Sequence, residues 1–234
     1  MAKTKIEWCD YTVNPVKGLC PMACPYCYAR RMYKRFKWNP DIRFWQPSFF
    51  ATYPKGSKVF IGSTMELFGD WIKCEWIETI FTICRQRDDV TWIFLTKQPE
   101  NLLKWSPFPD NCWVGVSAVD KLHFLAACHY LSDVKSKVKF ISFEPLLESM
   151  ESSSPIGKHL MNGGINWVVI GRQTPASATT MPRIQDIQAI IRGANEIPIP
   201  VFLKNNLKGF LPFQQFPDSW KEVYKLRQEF PETN

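Results

Sequence analysis

The chain has 234 residues, of which 45% are hydrophobic and 15% aromatic, so its composition excludes a disordered protein and fits one large domain or two small ones. No apolar run of about 18 residues is present, and the first residues lack the apolar segment of a signal peptide. We therefore expect no membrane partner and a cytoplasmic location. The formal net charge of +7 favours an anionic partner such as nucleic acid.

The first apolar stretch, residues 11–19, is punctuated by Asn and Pro and predicts a strand that leads into a cysteine-rich loop at residues 18–31. Cys20, Cys24 and Cys27 follow the spacing C-x3-C-x2-C. Prolines after the first two cysteines favour a turn, so three sulfurs can point at one place. Thiolates at this density select an iron–sulfur cluster or zinc, whereas a disulfide across such short spans would be strained.

A structural zinc site is the alternative for this loop, because zinc takes a closed shell of four ligands. Cys9 could supply the fourth thiolate, since all three histidines lie far away in the sequence. The cysteines outside the loop are predicted to be small buried residues in a reducing compartment. They are Cys9, Cys74, Cys84, Cys112 and Cys128.

Residues 26–38 contain neither glycine nor proline and predict a helix. Five basic residues alternate there with aromatic ones; they are Arg30, Arg31, Lys34, Arg35 and Lys37, beside Tyr33, Phe36 and Trp38. Either this face contacts phosphates and stacks on bases, or it is a solvated face whose aromatic rings pack inward. Residues 39–57 contain three prolines and predict a long ordered connection.

From residue 58 onward, short apolar strands alternate with helices. Strands are predicted at 59–62, 91–95, 112–116, 138–141, 167–170 and 200–203. Helices are predicted at 70–87, around 122–129 and around 184–191. The second of these helices has Leu122, Leu125, Ala126 and His129 on one face. Six strands thus follow the loop and one precedes it, which indicates parallel strands covered on both faces. This α/β pattern fits a (β/α) barrel of six or seven units or a doubly wound open sheet.

No domain break is evident, so we expect one domain over residues 1–234, with a helical tail from about residue 207. Polar residues recur where the predicted strands end, and parallel barrels place their sites there. These residues are Ser63, Thr64, Glu66, Thr96, Lys97, Ser117, Ser142, Glu144, Arg172, Lys204 and Asn205.

The loop, with Tyr26 as the aromatic residue before its third cysteine, resembles the signature of the radical S-adenosylmethionine (SAM) enzymes. The resemblance implies a partial (β/α)6-type TIM barrel, or that barrel with one extra strand. It implies that Cys20, Cys24 and Cys27 hold three irons of a 4Fe–4S cluster, and that SAM chelates the fourth iron through its amino and carboxylate groups. The reduced cluster cleaves SAM, and the resulting 5′-deoxyadenosyl radical abstracts hydrogen from a substrate.

The same resemblance implies cofactor contacts at the strand ends. The backbone of Tyr26 is expected beside adenine, and Glu66, with Ser63 and Thr64, beside the SAM amino group, although residues 62–66 depart from the Gly-Gly-Glu segment usual there. Contacts to the ribose or the methionine carboxylate are implied for Ser117, Glu144 and Arg172.

A closer resemblance covers most of the chain. The cysteine loop is followed in order by Val-Phe-Ile-Gly-Ser, Leu-Thr-Lys, Ile-Ser-Phe-Glu-Pro, Trp-Val-Val-Ile-Gly and Val-Phe-Leu-Lys, as in the small phage-type radical SAM proteins, which are similar in loop and barrel to spore photoproduct lyases. The chain reads Gly171-Arg-Gln-Thr where that family usually has Gly-Gly-Glu-Ser. Membership implies a monomer in the host cytoplasm that is reduced by a flavodoxin or ferredoxin.

The implied substrate is a modified nucleotide in phage DNA, and the implied reaction is isomerisation of a thymine-base substituent, or repair. Substrate contacts are expected from Arg30, Arg31, Lys97 and Lys204. No second cysteine motif suggests an auxiliary cluster, which favours simple hydrogen abstraction. Two alternatives remain: a radical SAM enzyme that acts on a free small molecule, and a zinc-stabilised nucleic-acid-binding module without catalysis.

Overall fold

The computed structural model describes residues 3–45, 52–150, 154–175, 177, 180–208 and 226–232. By its internal contacts the chain divides into two compact units. The first contains Met1–Val116 and Asp133–Lys139, and the second contains Ser117–Ser132 and Phe140–Asn234.

The first unit is built on four parallel strands. Its elements are β1 (Tyr11–Val13), β2 (Val16–Lys17), α1 (Tyr28–Phe36), β3 (Arg43–Phe44), β4 (Lys58–Ile61), α2 (Cys74–Gln86), β5 (Thr91–Thr96) and β6 (Cys112–Ser117). The parallel order is β1-β4-β5-β6, and β2 pairs with β3 as a separate antiparallel pair. Because β4, β5 and β6 are apolar on both faces, nearly all of their residues are buried. Ile77, Ile80, Phe81 and Cys84 of α2 are buried, as their spacing predicts.

The second unit contains three parallel strands. Its elements are α3 (Lys121–Asp133), β7 (Val138–Phe143), α4 (Ile156–Asn162), β8 (Trp167–Ile170), α5 (Ile184–Glu196) and β9 (Val201–Leu203). β8 lies between β7 and β9, and all four of its residues are buried. Residues 226–232 run along β9, where Leu203 N–H donates to the Arg227 carbonyl at 2.7 Å. The Phe230 ring there contacts Trp167 and Phe202 at centroid distances of 5.5 and 5.3 Å.

The α/β class is confirmed, and the described residues contain seven parallel apolar strands, six of them after the loop, as predicted. The stretch 11–19 is not one strand: the chain leaves the sheet at Asn14-Pro15, and Val16–Lys17 pairs with Arg43–Phe44. The first helix is shorter than predicted because Cys27 caps its start and Lys37, with φ of 50°, ends it.

The predicted inner face of α3 is wrong. Phe124, Ala127, Cys128 and Leu131 are buried, whereas Leu122 is 75% exposed. The predicted set and the buried set both have helical spacing, and the face that contains the large Phe124 ring is the one that packs against the core. Cys74 is also a correction, since it is exposed where a buried residue was expected.

The predicted C-terminal helix falls largely on residues 209–225, outside the described residues; Asn205–Leu207 forms one short 3-10 turn, and 226–232 contains no helix. Within the described ranges, none of the helices has the length and apolar character needed to cross a bilayer. The single domain, the cytoplasmic location and the monomeric state stay predictions.

Candidate functional site

The start of the cysteine loop is clamped by its neighbours. Gly18 has φ of 129°, and a Cβ added there would lie 2.7 Å from the Asp41 carbonyl oxygen. Its N–H donates to the Tyr33 hydroxyl at 2.8 Å, and Leu19 N–H donates to the Pro40 carbonyl at 2.8 Å. Only glycine fits both this backbone conformation and this space, so the residue fixes where the loop begins.

We expect Gly18→Ala to lower the free energy of unfolding by about 3 kcal/mol, through the positive φ and the clash with residues 41–42. Gly56→Ala is the matched control, because Gly56 has φ of 79° with nothing within 4 Å of the added Cβ. Gly56→Ala should lower the free energy of unfolding by only about 1 kcal/mol, because its sole penalty is the positive φ. Urea unfolding of both variants measures the difference, and equal midpoints would contradict the clamp.

Cys20, Cys24 and Cys27 line one cavity that is open to solvent. The other lining residues are Leu19, Met22, Ala23, Ala29, Arg30, Tyr33 and Thr64. Thr64 follows β4, so the cavity lies at the carboxyl edge of the first unit's strands. None of the three sulfurs forms a disulfide. The loop therefore places the three predicted ligands along the lining of one cavity.

The environment of each sulfur differs. Cys27 Sγ lies at the N-terminus of α1 and accepts a hydrogen bond from Arg30 N–H at 3.4 Å. Burial raises the pKa of the Cys20 thiol, and backbone N–H groups of Glu66 and Met22 oppose that rise in part. A cationic metal group in the cavity would favour the thiolate of Cys20 in spite of its burial.

The donor set fits an iron–sulfur cluster. Three thiolates leave one position of four open, whereas a closed zinc shell needs a fourth ligand. Cys9, the predicted fourth zinc ligand, does not line the cavity; it is buried, and its Sγ lies 3.9 Å from the Ile6 carbonyl oxygen. Within the described ranges, no three His, Cys, Asp or Glu side chains already converge as a set of metal ligands.

The structure separates the two arginines that were predicted together. The Arg30 guanidinium donates to the Cys20 carbonyl at 2.7 Å and lines the cavity, so it belongs to the cysteine loop. Arg31 is exposed on the outer side of α1.

Asn14 organises Ser63 and Thr64, and sequence reasoning missed it. Its Oδ1 accepts from the backbone N–H and the hydroxyl of Thr64, both at 3.0 Å, and its amide donates to Ser63 Oγ at 3.1 Å. The Tyr28 hydroxyl donates to the Ser63 carbonyl at 2.5 Å. Ser63 and Thr64 thus hold the loop after β4 against the end of β1 and the start of α1. An Asn-Pro pair at the end of the first strand was the available signal.

The buried Glu66 carboxylate joins the ends of β4 and β5. Its Oε1 accepts from Thr96 Oγ1 at 2.6 Å and from Phe68 N–H at 3.1 Å, and its Oε2 accepts from Lys97 N–H at 2.8 Å. These bonds use most of the acceptor capacity of a carboxylate. Contact between Glu66 and the SAM amino group stays a prediction. The Lys97 ammonium lies 6.0 Å from the centroid of the Tyr26 ring, so those two predicted residues are neighbours.

The predicted residues of the second unit meet over a glycine. Phe143, Ile170 and Leu203 are in register across β7, β8 and β9, so the next residues, Glu144, Gly171 and Lys204, emerge side by side. Glu144 and Lys204 form an ion pair across β8. A Cβ at Gly171 would lie 3.0 Å from Lys204 Cδ and 3.2 Å from Glu144 Cδ. Because Gly171 has no side chain, Glu144 and Lys204 can meet above it.

Arg172 is held by Asn206, a second residue that sequence reasoning missed. Its N–H donates to Asn206 Oδ1 at 3.2 Å, and its carbonyl accepts from Asn206 Nδ2 at 2.7 Å. Ser117 and Ser142 are both buried, and Ser142 Oγ has no hydrogen-bond partner among the described residues. The exposed Asn205 begins the 3-10 turn after β9.

Alkylation of the native protein should separate three classes of thiol. Cys74 is exposed and should react fast, and the half-buried Cys20, Cys24 and Cys27 should react more slowly in metal-free protein. Cys84 and Cys128 should stay unmodified, because burial raises the pKa of Cys128 to about 12 and that of Cys84 well above its ordinary value. Iodoacetamide labelling with peptide mass spectrometry, before and after unfolding, tests this order. Fast native labelling of Cys84 or Cys128 would contradict the packing described.

Comparison with known proteins gives one result. No curated protein matches the chain, and no solved structure matches it. Residues 3–206, which include every candidate site residue described above, match the family described as "Protein of unknown function (DUF5131)". Because the match covers most of the chain, this protein belongs to that family.

Proposed function

We propose that the protein is a radical SAM enzyme that holds a 4Fe–4S cluster through Cys20, Cys24 and Cys27 and abstracts hydrogen from a nucleotide in phage DNA. The observation that carries the proposal is that these three cysteines, and no other described cysteine, line one cavity at the carboxyl edge of parallel strands. The seven strands would then form the partial (β/α)6-type barrel of such enzymes, with one extra strand.

Held by Cys20, Cys24 and Cys27, a 4Fe–4S cluster would supply one electron, taken from a flavodoxin- or ferredoxin-type reductant, for the reductive cleavage of SAM to methionine and a 5′-deoxyadenosyl radical. That radical would take hydrogen from the substrate and leave as 5′-deoxyadenosine. Rearrangement of the substrate would then give an isomerised thymine substituent or a repaired base. The protein must bind and orient both partners and exclude water while the radical exists.

Residues of the loop are suited to holding an anionic metal–thiolate group. The Arg30 guanidinium contacts the loop backbone at Cys20 and places a fixed positive charge in the cavity lining. Cys27 is the N-cap of α1, so the positive end of the helix dipole also faces this site and would stabilise an anionic group there. The Tyr26 ring is suited to stack on a flat base, and the Lys97 ammonium beside it is suited to an anionic group, so together they could receive a nucleotide.

The roles in SAM binding that were predicted for Ser117, Glu144 and Arg172 stay predictions, as do substrate contacts by Arg31 and Lys204. Glu144 and Lys204 neutralise each other within the second unit. A substrate carboxylate or phosphate at Lys204 would therefore have to compete with Glu144.

Anaerobic purification and reconstitution with iron and sulfide test the proposal. We expect about four irons per chain, visible iron–sulfur absorption, and 5′-deoxyadenosine once dithionite and SAM are added. A colourless protein that holds one zinc would overturn the proposal and leave the zinc-stabilised binding module. SAM cleavage that is stimulated by free nucleosides but not by phage DNA would move the substrate to the small-molecule alternative.

A further inference from the structure

The last residue of α1 and the second residue after the helix are large aromatic side chains that the core does not use. Phe36 is 51% exposed and Trp38 is 43% exposed. Tyr33, from the same segment, turns inward, where its hydroxyl accepts from Gly18 N–H. Of these three residues, Tyr33 therefore serves the cysteine loop, whereas Phe36 and Trp38 do not line its cavity.

Phe36 and Trp38 form a stacked pair with centroids 5.5 Å apart and ring planes at 23°. Lys37 between them has φ of 50°, a conformation that residues other than glycine rarely adopt. This backbone turn folds Trp38 back beside Phe36 and against the edge of Tyr33, at 5.3 Å between centroids. The exposed rings are thus held in a fixed arrangement rather than left on a free side chain.

The positive charge of the protein is concentrated around these rings. Residues 28–45 contain six Lys and Arg and one acid, Asp41, so this short segment holds most of the net +7. Lys34, Arg35 and Lys37 are exposed there, and the Arg35 guanidinium lies 5.3 Å from the Phe36 centroid. We call Arg31, Lys34, Arg35, Phe36, Lys37 and Trp38 the basic aromatic surface.

A second pair of the same kind lies on the adjoining β2–β3 pair. The Lys17 ammonium is 4.3 Å from the ring of Trp45, which is 43% exposed, and Trp45 N–H donates to the Pro15 carbonyl at 2.5 Å. Gly18, which directly follows β2, donates its N–H to the Tyr33 hydroxyl of α1. A cation beside an aromatic ring therefore occurs both at α1 and at the β2–β3 pair, and Gly18 of the cysteine loop connects the two.

We propose that the basic aromatic surface binds single-stranded nucleic acid, with bases stacked on Phe36 and Trp38 and phosphates on Lys34, Arg35 and Lys37. Cations that track a backbone and exposed rings that accept bases are the two components of single-strand binding surfaces. A duplex offers its phosphates but hides its base faces. Aromatic residues and arginine also occur at protein interfaces, but the lysines that flank these rings are depleted there, so we favour nucleic acid over a protein partner.

None of Lys34, Arg35, Phe36, Lys37 and Trp38 lines the three-cysteine cavity. Binding at this surface therefore does not require the chemistry proposed there. Where the proposed function also holds, the inference adds that the nucleotide is presented from an unpaired strand.

Fluorescence anisotropy of the reconstituted protein with a labelled oligothymidine of about 16 nucleotides tests the inference, with a duplex of equal length and anionic phosphatidylserine vesicles as competitors. We expect the single strand to bind more tightly than the duplex. Phe36→Ala with Trp38→Ala should weaken single-strand binding by about 5- to 150-fold for each base that no longer stacks on a ring. Tyr130→Ala, at another exposed ring in the second unit, is the matched control and should change nothing.

The double variant Lys34→Gln with Arg35→Gln should flatten the salt dependence by about 0.7 in log–log slope for each phosphate that is no longer neutralised. Lys5→Gln with Lys55→Gln, two exposed cations elsewhere in the first unit, should leave the slope unchanged. Equal binding of duplex and single strand, no effect of the ring substitutions, or vesicle binding that requires the same residues would each overturn the inference.

Failure of this inference is distinguishable from failure of the proposed function. The surface variants should retain wild-type iron content and SAM cleavage, since none of the substituted side chains lines the three-cysteine cavity. Cys24→Ala should retain oligonucleotide binding. Loss of binding in Cys24→Ala, with the surface variants unchanged, would place the nucleic-acid contact in the cavity instead.

Discussion

Replacing Cys24 by alanine is expected to reduce bound iron from about four per chain to background and to abolish 5′-deoxyadenosine formation. The reason is geometric as well as chemical: Cys24 is one of three sulfurs that line a single cavity, and no other described cysteine lines it. Two thiolates cannot hold a cluster that needs three protein ligands. Iron analysis and visible absorption after anaerobic reconstitution measure the first effect, and chromatography of the SAM cleavage products measures the second.

Cys74→Ala is the matched control. Cys74 is exposed, lies outside the cavity and accepts a hydrogen bond from the Lys104 ammonium at 3.0 Å, so its loss should leave iron content and SAM cleavage at the wild-type level. Cys24→Ser supplies a near-isosteric second variant that excludes misfolding as the cause. Full iron content in folded Cys24→Ser would contradict the assignment of this residue as a ligand.

Cys9→Ala separates the cluster from the zinc alternative. Because Cys9 is buried beside Ile6 and away from the cavity, its replacement should cost about 1 kcal/mol of stability and leave iron content unchanged. If Cys9 were instead the fourth ligand of a closed zinc shell, the variant would lose metal as Cys24→Ala does. A metal loss of equal size in the two variants would therefore favour zinc.

Replacing Glu66 by alanine is expected to lower the free energy of unfolding by about 3 kcal/mol. The substitution removes the acceptor of three hydrogen bonds and leaves the Thr96 hydroxyl and the Phe68 N–H as buried donors without that partner. Each such donor costs about 1–3 kcal/mol, and a typical domain has only about 5–15 kcal/mol in total. Chemical unfolding followed by circular dichroism measures the change.

Glu66→Gln refines the test. Its amide oxygen can still accept from Thr96 and Phe68, while its NH2 group faces the Lys97 N–H, so the expected cost is about 1–2 kcal/mol. Glu78→Gln on α2 is the control, because this exposed acid should contribute within about 0.5 kcal/mol. Equal stability of Glu66→Gln and wild type would contradict the hydrogen-bond account of Glu66.

The same variant tests the predicted contact with SAM. If Glu66 also binds the SAM amino group, folded Glu66→Gln should bind SAM more weakly than Glu78→Gln does in calorimetric titration. Unchanged SAM affinity together with lowered stability would make Glu66 a residue that positions the loop after β4, and the predicted amine contact would be wrong.

The strands and the cysteine loop could be predicted because their signals are local. Val59, Phe60 and Ile61 are consecutive apolar residues next to Gly62, and such a run beside a turn residue is typical of a strand buried on both faces. The ligand spacing of the cysteines likewise lies within eight residues. Each of these features is read from one short window of sequence.

The missed residues depend on long-range partners. Asn14 bonds side chains 49 and 50 residues away, and Asn206 bonds Arg172 from 34 residues away. The Asn14-Pro15 pair marks a turn, but no local pattern gives the distant partners of either asparagine. The α3 error has a different cause: the helix is apolar on more than one side, so periodicity alone could not choose between the Leu122 and Phe124 faces.

The segment 226–232 that runs along β9 has a further consequence. β9 ends the strand order of its unit, and an end strand with unpaired backbone groups is a template for association with other chains. The segment occupies that edge through Arg227 and Gln228, and the Trp167 indole donates to the Glu229 carbonyl at 2.8 Å. A truncation that removes it would therefore create an aggregation-prone protein, whose inactivity would say nothing about the three cysteines.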